Sequence, residues 1–363
     1  MNELYICDTP YQIFNALNIA FHNNNEFTKK ALYIIAQFKT AEEISSRIEK
    51  SGLFDEVYLL TRDETKFLKK GIKRNIYMAF DFLFPKIFLK KRFSNYPCKR
   101  MSYTGFDKVY ASGAFSTVAA IMKLNRHADF VMFDDGLGSY RGNYIIRSSG
   151  GKFNRIFCTI FHVGSYVCVP SRLLVNNPEF CKSTVVEPSH IEKLPDLDNY
   201  FIDYCNKIYN VNKHNEFRYY WLTQPIDSNY SAKEMREKVR DSLEIYKEKI
   251  IVRLHPRDND REFYASFTIE MSEDLWELSI LNKDVDRLVL ISEYSSAQMT
   301  PKMLFGFEPT LIFLYKLNRG YSEEQRCTMT KQIKDLMDSY NQPEKIYVPE
   351  SISELNHILM NIL

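Results

Sequence analysis

Apolar positions along the chain follow two alternating rhythms. Short continuous apolar runs at 4–7, 31–36, 55–60, 107–111 and 130–133 read as buried strands. Between them, residues 11–22 (with Ile13, Leu17, Ile19 and Ala20), 41–49 and 116–124 carry apolar side chains at helical spacing. The region after the third strand, to about Arg92, reads as mostly helical with a break at Pro85. Residues 154–193 hold β-branched patches at 166–169 and 183–186 and read as the end of a first domain. Polar, acidic 193–199 reads as a linker. The same alternation then restarts. Strands are expected at 217–222, 249–254, 287–291, 310–314 and 345–348, with helices at 232–246 and 351–363. Strands alternating with helices predict parallel sheets covered on both faces. The expected fold class is α/β, with two Rossmann-like domains, 1–192 and 200–363, facing across a cleft. In such sheets ligands sit beyond the carboxyl ends of the strands, and each motif below falls at such an end.

Composition narrows the picture. A chain of 363 residues, 45% hydrophobic and 14% aromatic, holds enough apolar material for two cores. With a net charge of +2 the balance gives no push toward nucleic acid. Seven Cys in an odd set, without CxxC or Cys/His spacing, argue against a structural zinc and a disulfide framework. The opening MNELYICDTP lacks the form of a signal peptide, and no apolar stretch is long enough to span a membrane. The expected location is therefore the cytoplasm. One segment departs from the even charge balance: residues 66–100 hold eleven Lys or Arg against one acid, Asp81, interleaved with Phe80, Phe82, Phe84, Phe88 and Phe93. That mixture suits peripheral contact with an anionic membrane surface; a solvated helix with a buried aromatic face is the plain alternative.

Three motifs carry candidate chemistry. Asp134 and Asp135 follow a strand and precede Gly136, which allows close approach of the backbone or a positive φ. Neighbouring acids raise each other's proton affinity, which suits a general base. Their spacing is not Asp-x-Asp, so a base fits better than a metal site, and an ordinary Asp-Gly turn is the plain alternative. His255 ends a strand, with Pro256 fixing the turn and Arg253 and Arg257 supplying charge for a phosphate. Ser295 and Ser296 follow another strand at a helix start, where hydroxyls and backbone N–H groups form an anion site or a simple cap. Thr300-Pro301 is a competing helix start. Glu277 is a weaker candidate for ribose hydroxyls. Thr9, Pro10, Thr223, Gln224 and Asp227 sit at strand ends that would line the cleft, and Asp227 is a rival base.

In this order the motifs resemble those of bacterial sialyltransferases, which share an acidic pair before Gly, a His-Pro motif and a Ser-Ser/Thr pair. The opening Leu4-Tyr5-Ile6-Cys7-Asp8-Thr9-Pro10-Tyr11-Gln12 is also similar to glycosyltransferase family 52, the lipooligosaccharide and capsular sialyltransferases. The resemblance implies a glycosyltransferase-B-type fold and an inverting transfer from CMP-sialic acid that needs neither metal nor other cofactor. It implies that Asp135 is the base on the acceptor hydroxyl, with Asp134 supporting or replacing it. His255, Ser295 and Ser296 would then take the leaving phosphate, and Glu277 the ribose. The implied partners are the nucleotide-sugar donor, a cell-surface glycan acceptor and a second copy of the chain. Two other readings stay open: the same fold with another donor such as a UDP-hexose, and a non-catalytic two-lobed small-molecule binder.

Overall fold

The computed structural model describes residues 1–23, 27–61, 84–92, 103–113, 116–136, 138–142, 168–211, 218–224, 230–255, 258, 260–270 and 275–363. The chain forms two compact units, Met1–Asn210 and Val211–Leu363.

In the first unit the described elements run β1 (Asn2–Cys7), α1 (Pro10–His22), β2 (Lys29–Ala36), α2 (Ala41–Ser51), β3 (Glu56–Thr61), α3 (Pro85–Arg92), β4 (Lys108–Ala111), α4 (Ser116–Leu124), β5 (Asp129–Phe133), β6 (Arg141–Gly142), β7 (Arg172–Val175), β8 (Lys182–Ser183), β9 (Ile191–Lys193) and α5 (Asn199–Tyr209). Seven strands make one parallel sheet in the order β3-β2-β1-β4-β5-β7-β9, and β6 pairs with β8. Strand order reverses between β1 and β4, the topological switch where α/β sheets open a crevice at their carboxyl ends. β1 is central, and all but its first residue are buried.

The polar stretch 193–199, expected as a linker, lies inside this unit. The reason is α5, whose Phe201 packs against Phe14 and Phe21 at 5.3 and 5.6 Å between ring centroids. Arg47 Nη1 also donates to the Ile208 carbonyl at 3.0 Å. The β-branched patch at 183–186 gives only Ser183 to the two-residue β8, and of the patch at 166–169 the described residues 168–169 are not strand. Of the basic stretch 66–100 only residues 84–92 are described, with Phe84 and Ile87 exposed. No helix among the described residues is long and apolar enough to cross a membrane.

The second unit runs β10 (Tyr219–Leu222), α6 (Tyr230–Glu244), β11 (Ile250–Arg253), β12 (Thr268–Glu270), α7 (Trp276–Leu281), β13 (Val289–Ser292), α8 (Ser296–Phe305), β14 (Thr310–Phe313), α9 (Glu323–Asp338), β15 (Ile346–Tyr347) and α10 (Ile352–Ile362). Its six strands are parallel in the order β12-β11-β10-β13-β14-β15. Alternation along each strand divides the side chains between two faces. Trp221, Val252, Ile291 and Ile312 join Met235 and Val239 of α6 and Leu355 and Ile358 of α10 in one core. On the other face Tyr220 meets Trp276 of α7 edge-on at 5.5 Å.

Helix α8 is anchored to the sheet by Gln298, which is fully buried. Its Nε2 donates to the Leu290 and Ile312 carbonyls at 3.0 and 2.9 Å, and its Oε1 accepts from Ser295 N at 3.4 Å. Gln298→Ala leaves these groups without water to replace the amide, so a loss of about 2–3 kcal/mol is expected. Both tryptophans, Trp221 and Trp276, lie in this unit, so urea unfolding followed by tryptophan fluorescence reads it directly. An unchanged midpoint would refute the anchoring role.

Candidate active site

In the first unit the acidic motif meets the start of α1. Thr9 caps that helix, its Oγ1 accepting from Gln12 N at 3.2 Å, and Pro10 takes the first turn, where its missing N–H costs nothing. The Pro10 carbonyl accepts from the Tyr209 hydroxyl at 2.7 Å. This start places two α1 amides against the acidic loop. Asn15 Nδ2 donates to the Asp134 carbonyl at 3.0 Å. Gln12, 2% exposed, accepts from Asp8 N at 2.7 Å through Oε1 and donates to Asp135 Oδ1 at 2.7 Å through Nε2.

The two acids have different surroundings. Asp134 is fully buried; its Oδ1 accepts from Gly136 N at 2.7 Å. Its Oδ2 accepts from the Tyr140 hydroxyl at 2.7 Å and from Asn176 N and Nδ2 at 3.2 and 3.3 Å. Burial pushes its carboxyl up to about 6 against the downward pull of these donors. The proton affinity expected from a neighbouring acid thus has another source, loss of water. Asp135 is half-buried beyond the carboxyl end of β5, its N–H donating to Ser139 Oγ at 2.7 Å. Gly136 turns the chain directly after them at φ +86, a backbone that side-chain-bearing residues rarely adopt. Asp134 therefore builds the turn, and Asp135 is the acid the turn presents.

In the second unit His255 follows β11. Its N–H donates to Thr223 Oγ1 and its carbonyl accepts from Asp258 N, both at 2.8 Å. The buried Thr223 at the end of β10 thus fixes the backbone of the His motif. Arg253 is differently employed from the phosphate role expected of it. Its Nη1 pairs with Glu270 at 2.5 Å, and its guanidinium lies 4.9 Å from the centre of the Trp276 ring. Glu270 offsets that charge.

Ser295 is the N-cap of α8, accepting from Ala297 N at 3.2 Å in a capping box with Gln298, and Ser296 is exposed at the first helical position. The helix runs through Pro301 rather than starting there. Pro301 has no N–H for the Ala297 carbonyl four residues back. Trp276 Nε1 fills that place, donating to Ala297 O at 2.9 Å. The same indole sits one residue before the half-buried Glu277 in the first turn of α7, so the Glu277 and serine helices are joined.

A cavity of about 210 Å³ lies over the α6 face of the second sheet, walled by Thr223, Gln224, Arg236, Glu293 and Asn318. Asp227, Pro256 and Arg257 lie outside the described residues. Among the described residues no group of three or more His, Cys, Asp or Glu could hold a metal ion.

The sequence reading passed over Gln12, Asn176, Trp276 and Arg236. Gln12 had a signal, standing in the opening stretch 4–12, and Trp276 stands next to the candidate Glu277; Asn176 and Arg236 meet their partners only through tertiary packing.

No protein-family model and no curated protein matches the chain. Solved structures do. A sialyltransferase from Photobacterium damsela superposes with a TM-score of 0.52 at 8% identity, covering 96% of this chain and 81% of its own. The calicheamicin glycosyltransferase CalG4 gives 0.51 at 7% identity, covering 99% and 89%. An S. aureus MnaA–UDP structure gives 0.48 at 14% identity, covering 100% and 97%. The first two show the fold: two parallel α/β domains of the glycosyltransferase-B type.

The buried acid gives a prediction with a definite sign. Its carboxyl titrates at about 6 in the fold against an ordinary 3.8, so between those values the folded state holds more protons than the unfolded chain. Stability from this group is complete below the lower value and is lost as pH rises through the upper one, by about 3 kcal/mol. Hydrogen exchange of β5 and β7 peptides should show that pH slope in the wild type and lack it in Asp134→Asn. Equal slopes would refute the assignment.

Proposed function

We propose that the chain is an inverting, metal-independent glycosyltransferase that moves sialic acid from CMP-sialic acid to a hydroxyl of a cell-surface glycan, a lipooligosaccharide or capsular polysaccharide. The observation that carries this reading is the division of labour at the acidic motif. Asp134 is enclosed, whereas Asp135 is half-buried at a strand end with one carboxylate oxygen held by Gln12. A general base needs this arrangement, a fixed carboxylate still within reach of a ligand. The glycosyltransferase-B fold supports the reaction class, and the ordered Asp-Asp-Gly, His-Pro and Ser-Ser motifs support the sialyl donor.

Asp135 takes the proton of the acceptor hydroxyl as its oxygen bonds the anomeric carbon. The bond from that carbon to the phosphate oxygen breaks, and its electron pair leaves with CMP. Growing charge on the phosphate is met by His255, by the Ser295 and Ser296 hydroxyls and by the N-terminus of α8, an effect worth several kcal/mol. Glu277 accepts from the ribose. A glycan acceptor anchored in a membrane would give the basic stretch 66–100 its use in peripheral docking.

Two measurements test this. Thermal shift with CMP and CDP against UDP and GDP should show stabilisation by the cytidine nucleotides; a preference for UDP would move the donor to a UDP-sugar. Turnover should survive EDTA, and Asp135→Asn should lower kcat about 10²- to 10⁴-fold with CMP binding unchanged. Full turnover in that variant would remove Asp135 from the mechanism.

A further inference from the structure

His255, Ser295 and Ser296 are not among the residues that line the cavity over the α6 face, although two that do adjoin them: Thr223 holds the His255 N–H, and Glu293 stands two residues before Ser295. Trp221, which lines the cavity, belongs to the core facing α6 and α10, whereas Tyr220 alternates to the other face, where it meets Trp276 of α7. The cavity's base is apolar, with Trp221 and Leu314, and its polar wall includes Gln224, Lys233, Arg236, Glu293 and Asn318, drawn from separate places in the sequence.

Two of these are fixed by their neighbours. Asn318 is 4% exposed, and its Oδ1 accepts from Gly320 N at 2.8 Å. Its Nδ2 donates to Glu293 Oε1 at 2.5 Å, which holds that carboxylate at the cavity. Arg236 is held by Tyr264, its Nε donating to the hydroxyl at 3.1 Å, and it pairs with Asp258 and Asp260 at 3.6 and 3.4 Å. It also lies 4.1 Å from the centre of the Phe263 ring.

The charge balance does not favour a phosphate here: two cations, Lys233 and Arg236, stand against the carboxylates of Glu293 on the wall and of Asp258 and Asp260, which pair with Arg236. What the wall offers is an oriented carboxylate acceptor, an amide at Gln224 and an apolar base, the donor-and-acceptor mixture that a hydroxyl-rich ring matches. We infer that this cavity binds the hydroxyl-bearing sugar of the nucleotide donor, with Glu293 accepting from its hydroxyls. The inference rests on the glycosyltransferase reading and deepens it by separating the sugar's place from the phosphate's.

The test compares matched ligands on the full chain. Calorimetry with CMP, CMP-sialic acid, UDP and UDP-glucose gives nucleotide and sugar-nucleotide affinities for the wild type and for Glu293→Gln, which keeps an acceptor for Asn318. The expected result is a loss of about ten- to a hundredfold for the sugar nucleotide and none for the free nucleotide. Equal losses for both would place the nucleoside in the cavity and overturn the inference, as would no loss for either. If the wild type binds no nucleotide, the glycosyltransferase reading fails. Saturation-transfer NMR with free sialic acid and glucose then decides the cavity separately: sugar signals that vanish in Glu293→Gln uphold it, and no signal in the wild type overturns it.

Discussion

A carboxylate wholly out of water must find hydrogen-bond donors from the protein, and Asp134 draws its donors from three separate segments. Gly136 comes from its own turn, Tyr140 from the residues just after, and Asn176 from the end of β7. Because an unmet buried charge would cost several kcal/mol, these segments are held in one arrangement. Asn176 Nδ2 also donates to the Tyr11 hydroxyl at 2.9 Å, which carries the constraint to α1. From α1 it returns to the acidic motif through Gln12 and Asp135. The position of the candidate base is thus a consequence of satisfying its buried neighbour.

The second unit solves a similar problem differently. A proline inside α8 removes a backbone donor, and the Ala297 carbonyl is met by an indole from α7. The indole ring also lies beside Arg253, whose charge Glu270 offsets. One side chain therefore links the end of β11, the Glu277 helix and the serine helix. Three motifs that are distant in sequence share a single packing partner, and the only polar atom of that partner is committed.

Most of the fold could be read from the sequence because period is a local property. Runs such as 31–36 and 130–133 are buried on both faces and need no partner to be recognised. Short elements at or next to a sheet edge escaped: β7 has four residues and β12 three, and only pairing makes them strands. The linker reading of 193–199 failed for a related reason. Polarity there marks a loop, but α5 just beyond it buries Phe201, and contacts of this kind with α1 and α2 assign it to the first unit. At the site, the motifs gave residue types and strand-end positions. They could not tell which of two adjacent acids would be enclosed, since that depends on Tyr140 and Asn176. Nor could they reveal that Arg253 is spoken for by Glu270, a partner on the neighbouring strand β12.

That last pairing bears on how the proposed reaction handles charge. A leaving phosphate is most simply met by a guanidinium, and among the described residues the second unit has two near its strand ends, Arg257 lying outside them. Arg253 is paired with Glu270, and Arg236 with Asp258 and Asp260. Breaking either pair to bind a ligand would expose a partly or wholly buried carboxylate, a penalty comparable with the gain. The proposed chemistry therefore leans on groups whose commitment costs less: an imidazole, hydroxyls, and a helix N-terminus equivalent to roughly half a positive charge. Such groups are weaker singly than a guanidinium, but being fixed before the ligand arrives they need little reorganisation during the reaction. Fixation is what the capping box at Ser295, the anchor at Gln298 and the Trp276 bridge supply to that helix end.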